Sequence, residues 1–113
     1  MIPVNLSFHD AIIVAIRREG TSYVLDIESV AVDHGEDVID GALIFEDVQR
    51  LVANDAEVTE LVMAADDAEI LELDELPGPV IRIVALWADH ESQDEESCLY
   101  LIECKGMRWK SQK

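Results

Sequence analysis

VIRIVALWA (residues 80–88) and SCLYLIECK (97–105), joined by DHESQDEE (89–96), decide the fold. Both runs are short, apolar and rich in β-branched and aromatic residues, and a cluster of turn-prone acids separates them, which is the pattern of a β-hairpin. The spacing predicts that Val80–Ala88 pairs antiparallel with 97–105. Trp87 and Tyr100 then fall near the loop-facing end of the ladder, and the acidic connection is long enough to be mobile. Upstream, Leu76-Pro77-Gly78-Pro79 breaks the chain cleanly.

Working outward, residues 8–18 fit two periods. As a helix they have Ser7 as N-cap, Asp10 in a box-like position and Gly20 beyond the end. As a strand they set Phe8, Ile12, Val14 and Ile16 on one face and Ala11, Ile13 and Ala15 on the other, and the β-branched run Ile12-Ile13-Val14 favours the strand. Arg18-Glu19-Gly20-Thr21 reads as a tight hairpin loop in which Gly20 supplies a positive φ. Tyr23-Leu25-Ile27 alternates with Val24-Asp26-Glu28, which gives a second strand with one wet face. A turn at 33–37 leads to a third strand over 38–45, with Gly41 as a bulge or a point of close approach.

Residues 46–76 are the least legible. Val48, Leu51 and Val52 have helical spacing after Asp47, and Leu61, Ala64, Ala65 and Ala68 fit one helix face. Equally, 58–63 and 69–73 fit two strands turning at Asp66-Asp67, and the run Ile70-Leu71-Glu72-Leu73 favours a strand for the second. The expected fold is mainly β, with α+β as the alternative. It is an antiparallel meander with hairpins, forming a sandwich or barrel-like sheet with one or two short helices, in one domain over 1–113. The segment 105–113 reads as a mobile basic tail.

Charge sets the function classes. The chain has 25 acidic and eight basic residues, yet half of it is hydrophobic, which describes a folded anionic surface rather than a disordered chain. Residues 1–104 hold all 25 acids and only Arg17, Arg18, Arg50 and Arg82, a net charge of −21, whereas Lys105, Arg108, Lys110 and Lys113 follow without an acid among them. Such a surface repels nucleic acid and anionic lipid and speeds encounter with cationic partners. The first twenty residues lack a basic n-region, and the apolar run 11–16 is too short for a signal core or a membrane span, so the cytoplasm is expected. Cys98 and Cys104 on one strand stand roughly 20 Å apart, too far to bridge, and are expected to be free thiols.

No spacing of a reactive site emerges. His9-Asp10, Asp33-His34 and Asp89-His90 each place a histidine beside an aspartate, but neighbours on a strand point to opposite faces and no ligand spacing unites the three on a metal. The acidic loop lacks the Asp-x-Asp-x-Asp-Gly spacing that wraps a calcium ion. Nucleophile elbows, phosphate loops and dinucleotide glycines are absent. Acids near the cysteines raise thiol pKa and disfavour nucleophilic use. The aromatics Phe8, Phe45, Trp87, Tyr100 and Trp109 lack the basic groove of a nucleic-acid platform and read as core.

Phe8-His9-Asp10 ahead of an aliphatic strand, Leu25-x-Ile27-Glu28, Gly41-x-Leu43-x-Phe45, Glu69-Ile70-Leu71, Trp87 and Trp109 together resemble a group of small bacterial proteins, and some similar short chains are grouped with bacterial toxin immunity proteins. The resemblance implies a β-rich fold and no catalytic residues. The expectation is a non-enzymatic, immunity-like inhibitor that binds a basic protein, with no cofactor and no metal. Its partner-binding residues are expected at Asp89, Glu91, Asp94, Glu95 and Glu96. Two alternatives stand beside it: a self-associating homo-oligomer using a β edge or an apolar patch, and a small enzyme using His9 with converging carboxylates.

Overall fold

The computed structural model describes residues 5–35, 37–78 and 80–112, with the side chain of His34 excepted. Glu36, Pro79 and Lys113 therefore lie outside the described residues. The strands are Leu6–Ser7 (β1), Ile12–Glu19 (β2), Ser22–Val32 (β3), Asp37–Ala53 (β4), Ala56–Val58 (β5), Asp67–Leu76 (β6), Val80–Ala88 (β7) and Glu95–Ser111 (β8). Mainly β is thus the class of the fold, and a 3-10 turn at Asp33–Gly35 is the helical element among the described residues.

Local turn chemistry produces two meanders. Gly20, at φ 66°, reverses the chain between Glu19 and Ser22 and sets β2 against β3, and β3 pairs next with β4. Gly78, at φ 99°, reverses it again between β6 and β7, and β7 pairs with β8 from Val80↔Glu103 to Ala88↔Glu95. The meanders then join along both sides. β4 pairs with β8 over most of its length, and β2 meets β6 at Ile12↔Glu69 and Ile13↔Ala68. The result is a closed antiparallel ring in the order β2, β3, β4, β8, β7, β6, with β1 added on β3 and β5 on β4.

Side chains fill the ring. Ile13, Leu25, Ile27, Leu43, Phe45, Ile70, Ile83, Ala85 and Ile102 are buried at its centre. Residues 59–66 join β5 to β6, and their Leu61 is buried against the core and donates its backbone N–H to the Tyr23 hydroxyl at 3.3 Å. Phe8 and Trp109 also meet edge to face at 5.4 Å between ring centroids. Inside, the Trp87 Nε1–H donates to the Tyr100 hydroxyl at 2.8 Å, and burial pushes the Tyr100 phenol up from its ordinary value. The Cys98 and Cys104 thiols are free, and burial raises the pKa of Cys104.

Three sequence expectations change. The alternation in residues 8–18 is interrupted by a bulge between Ile13 and Ala15, so Ile13 and Ile16 both face the core while Ile12 and Val14 do not. The segment with helical spacing after Asp47 is strand: Val48 and Leu51 both reach the core because β4 bulges between Val48 and Arg50. Residues 105–111 are the end of β8 rather than a loose tail, because Met107 is buried and Trp109 packs against the core, which leaves Arg108 and Lys110 on the outer face.

Gly41 is the point of close approach. A Cβ there would lie 2.4 Å from the Lys110 carbonyl and 2.5 Å from Trp109 Cζ2, so only glycine lets the indole cross β4. Gly41→Ala is expected to destabilise the fold by about 1–3 kcal/mol through overpacking. Denaturant unfolding followed by tryptophan fluorescence measures this, with the strand signal in circular dichroism retained.

Candidate partner-binding face

The register of β6, β7 and β8 places their outward residues in rows. Asp67, Ala88 and Glu95 lie side by side, followed by Glu69, Leu86 and Ser97, and then by Glu72, Val84 and Leu99. The next row is Asp74, Arg82, Leu101 and Val52. The inward partners Ile83, Ala85, Tyr100 and Ile102 belong to the core, so the alternation of each strand puts Val84, Leu86, Leu99 and Leu101 outside, each only half-buried. An apolar stripe therefore runs over β7 and β8 with carboxylates along its β6 side.

Basic residues on this face are already matched. Arg82 Nη1 lies 2.8 Å from Glu72 and 3.1 Å from Asp74, and Arg50 reaches Glu57 at 3.5 Å and Glu103 at 3.7 Å. The hydrogen bonds and charges of Glu72 and Asp74 raise the Arg82 pKa further.

The acidic hairpin continues the face at one end. Its five expected partner residues divide into two kinds. Asp89 Oδ1 accepts the backbone N–H groups of Glu91 and Ser92 at 3.0 and 3.2 Å, so that carboxylate shapes the loop. Glu91 and Asp94 are exposed loop residues, and Glu95 and Glu96 open β8 opposite Ala88 and Trp87. The connection is held rather than loose. The Asp89 N–H donates to the Asp94 carbonyl at 3.0 Å, and the His90 N–H donates to Asp66 at 2.9 Å. His90 Nε2 lies 2.7 Å from Asp67, whose hydrogen bond and charge raise the imidazole pKa, with Asp66 and Asp89 adding to it.

His9 sits at the start of the seam between β2 and β6. Its Nδ1–H donates to the Leu71 carbonyl at 2.7 Å, and its Nε2 is 3.6 Å from Asp10. Glu69 stands close enough to Asp10 for the two carboxyl groups to interact by hydrogen bonding when Glu69 is protonated; this raises the Glu69 pKa, desolvation and the Asp10 charge add to it, and His9 opposes it. Asp10 thus stands beside His9 with the Glu69 charge nearby, but the His9 and Asp10 side chains are 65% and 69% exposed. That openness leaves no water-excluded space for acid–base chemistry. Among the described residues no group of three or more His, Cys, Asp or Glu is placed to hold a metal.

The larger concavities lie on another face. A groove of 490 Å³ and an adjoining one of 440 Å³ cross the outside of β2, β3, β4 and the end of β8. Arg17, Arg108 and Lys110 line them, but Glu19, Asp26, Glu28, Asp40 and Glu46 outnumber these bases. Arg17 is bound to Asp26 at 3.1 Å and Arg108 to Glu46 at 3.5 Å, so the grooves are poor anion sites.

Comparison of the chain with protein-family models, with curated proteins and with solved structures gives no match. No helix among the described residues is long and apolar enough to cross a membrane.

Sequence reasoning found the acidic hairpin and missed the stripe and its β6 rim. The signal was present in residues 83–88, where Val84 and Leu86 occupy positions that a strand with one wet face would fill with polar residues.

Two titrations follow. The folded state keeps the His90 proton to higher pH than the unfolded chain, so the His90–Asp67 pair adds stability below the ordinary value of 6.5 and loses it as pH rises through the folded value. NMR should place the His90 midpoint above 6.5, and Asp67→Asn should lower it. The Glu69 pKa is raised in the folded state, so its protonated form favours folding at acid pH, and that advantage disappears as pH rises through the raised value. Glu69→Gln should therefore raise the melting temperature at pH 7 by more than it does at pH 4.

Proposed function

We propose that this chain is a non-enzymatic, cytoplasmic protein-binding module that recognises a cationic protein, in the manner of an immunity-type inhibitor. The supporting observation is the continuity of the acidic hairpin with the outward carboxylates of β6, Asp67, Glu69, Glu72 and Asp74, beside a half-buried apolar stripe, with Arg82 offsetting part of that charge. A face of net negative charge attracts a basic partner from a distance and orients it before contact. The long β4 and β8 ladders hold that face rigidly, so little ordering entropy is lost on docking. An enzyme acting through His9 has less support because the group stands in open solvent. Self-association by edge pairing has little to work with at the added strands β1 and β5, which have only two and three residues.

The test is association kinetics with a basic protein that co-purifies from the native cell. Asp94→Asn with Glu95→Gln and Glu96→Gln leaves Asp89 to hold the loop, so folding should be unchanged. The on-rate should fall about tenfold in this variant at low salt, and rising salt should slow the parent chain markedly as screening shortens the field to roughly 8 Å at physiological ionic strength. An on-rate indifferent to both changes would leave the acidity as a solubility device.

A further inference from the structure

We infer that the stripe of Val84, Leu86, Leu99 and Leu101 is the anchoring surface of this face, and that its occupant is a protein surface presenting apolar side chains flanked by Lys or Arg. The inference rests on the proposed recognition of a cationic protein and names what holds the partner after encounter.

Four observations select this occupant. First, β7 lies between β6 and β8, and β8 between β7 and β4, so the strand edges beneath the stripe are already paired and docking proceeds through side chains rather than by adding a strand. Secondly, none of the four residues lines the larger grooves, and the outside of a closed ring suits a broad surface better than a small molecule. Thirdly, the stripe is bordered along β6 by Glu69, Glu72 and Asp74, Glu103 follows Leu101 at its end on β8, and Arg82, in the same row as Leu101, and Arg50 offset only part of that charge. Apolar contact at the centre with a charged rim is the anatomy of a protein interface. Fourthly, the rim opposes a second copy of the chain, because facing stripes would bring carboxylates against carboxylates, and it repels anionic lipid for the same reason.

The opposite outer face provides a control. Val24 and Ile44 also point away from the core cluster but are only 5% and 9% exposed, among Arg17 and Arg108. They offer no comparable apolar surface.

The test uses two synthetic peptides of equal length and charge, one alternating Leu with Lys and one alternating Ser with Lys. The variant is Leu99→Thr with Leu101→Thr, which keeps β propensity, and its fold is checked by methyl NMR. The parent chain should bind the Leu/Lys peptide at least tenfold more tightly than the Ser/Lys peptide. Methyl shifts should change at Val84, Leu86, Leu99 and Leu101 and not at Val24 or Ile44. The variant should lose the tenfold difference while binding the Ser/Lys peptide as before. Equal affinity for both peptides, or a difference that survives in the variant, overturns the anchor and leaves charge-based recognition standing. Absence of binding by either peptide overturns both. Sedimentation showing a dimer of the parent chain that the variant abolishes would assign the stripe to a second copy and overturn the proposed occupant.

Discussion

The seam between residues 10–13 and 68–70 is the contact on which the rest of the structure depends. Asp10 N–H donates to the Ile70 carbonyl and Ile70 N–H to the Ala11 carbonyl, each at 2.8 Å, and two further residue pairs complete the junction. Without it, the two meanders would share only the β4–β8 ladder and would expose the edges of β2 and β6. Closure pairs the start of β2 with the start of β6 and encloses the apolar faces, whose side chains fill the interior. The acidic face inherits its geometry from the seam, because Glu69 lies in it and Asp67 stands just beyond.

Closing so few strands into a ring demands strong bending, and the chain obtains it from bulges. Register shifts occur between Ile13 and Ala15, Ile27 and Val30, Val48 and Arg50, and Ile70 and Glu72. Each extra residue bends its strand and resets which side chains face inward. Core positions consequently fall three apart at Ile13 and Ile16, Ile27 and Val30, Val48 and Leu51, and Ile70 and Leu73. Ser29, at φ 62°, accompanies the β3 bulge, and Asp47, at φ 52°, marks a further bend where Phe45 and Val48 both turn inward. Lys105 reaches across that bend to Asp47 at 3.1 Å and lowers its carboxyl pKa.

The outer surface divides by chemistry. On β6, β7 and the first half of β8, carboxylates border half-buried aliphatic side chains. On β2, β3, β4 and the last part of β8, arginine and lysine are interleaved with acids and largely matched. A long strand such as β8 contributes to both faces, which is how a run of bases at the end of the sequence ends on one side of the barrel and an acidic hairpin on another. The resulting asymmetry gives the protein an electrostatic direction, and that is the physical basis of the proposed recognition of a cationic surface.

The sequence by itself determined the β class, the hairpin of Val80–Ala88 with the strand that follows, the turn at Gly20, the close approach at Gly41 and the acidic hairpin loop. Each of these is local: a β-prone run, a glycine in a backbone conformation other residues resist, or a charge cluster announces itself within a few neighbours. Closure into a ring, the strand character of residues 46–53 and the acid-rimmed stripe were decided by tertiary structure. A bulge changes the period of burial from two to three, so Val48 and Leu51 mimic a helix until their strand partners are known. The stripe was hidden for a related reason. Val84 and Leu86 look like core in a run that is apolar at every position from 83 to 88, and only the register with β6 and β8 shows which alternate residues face the solvent.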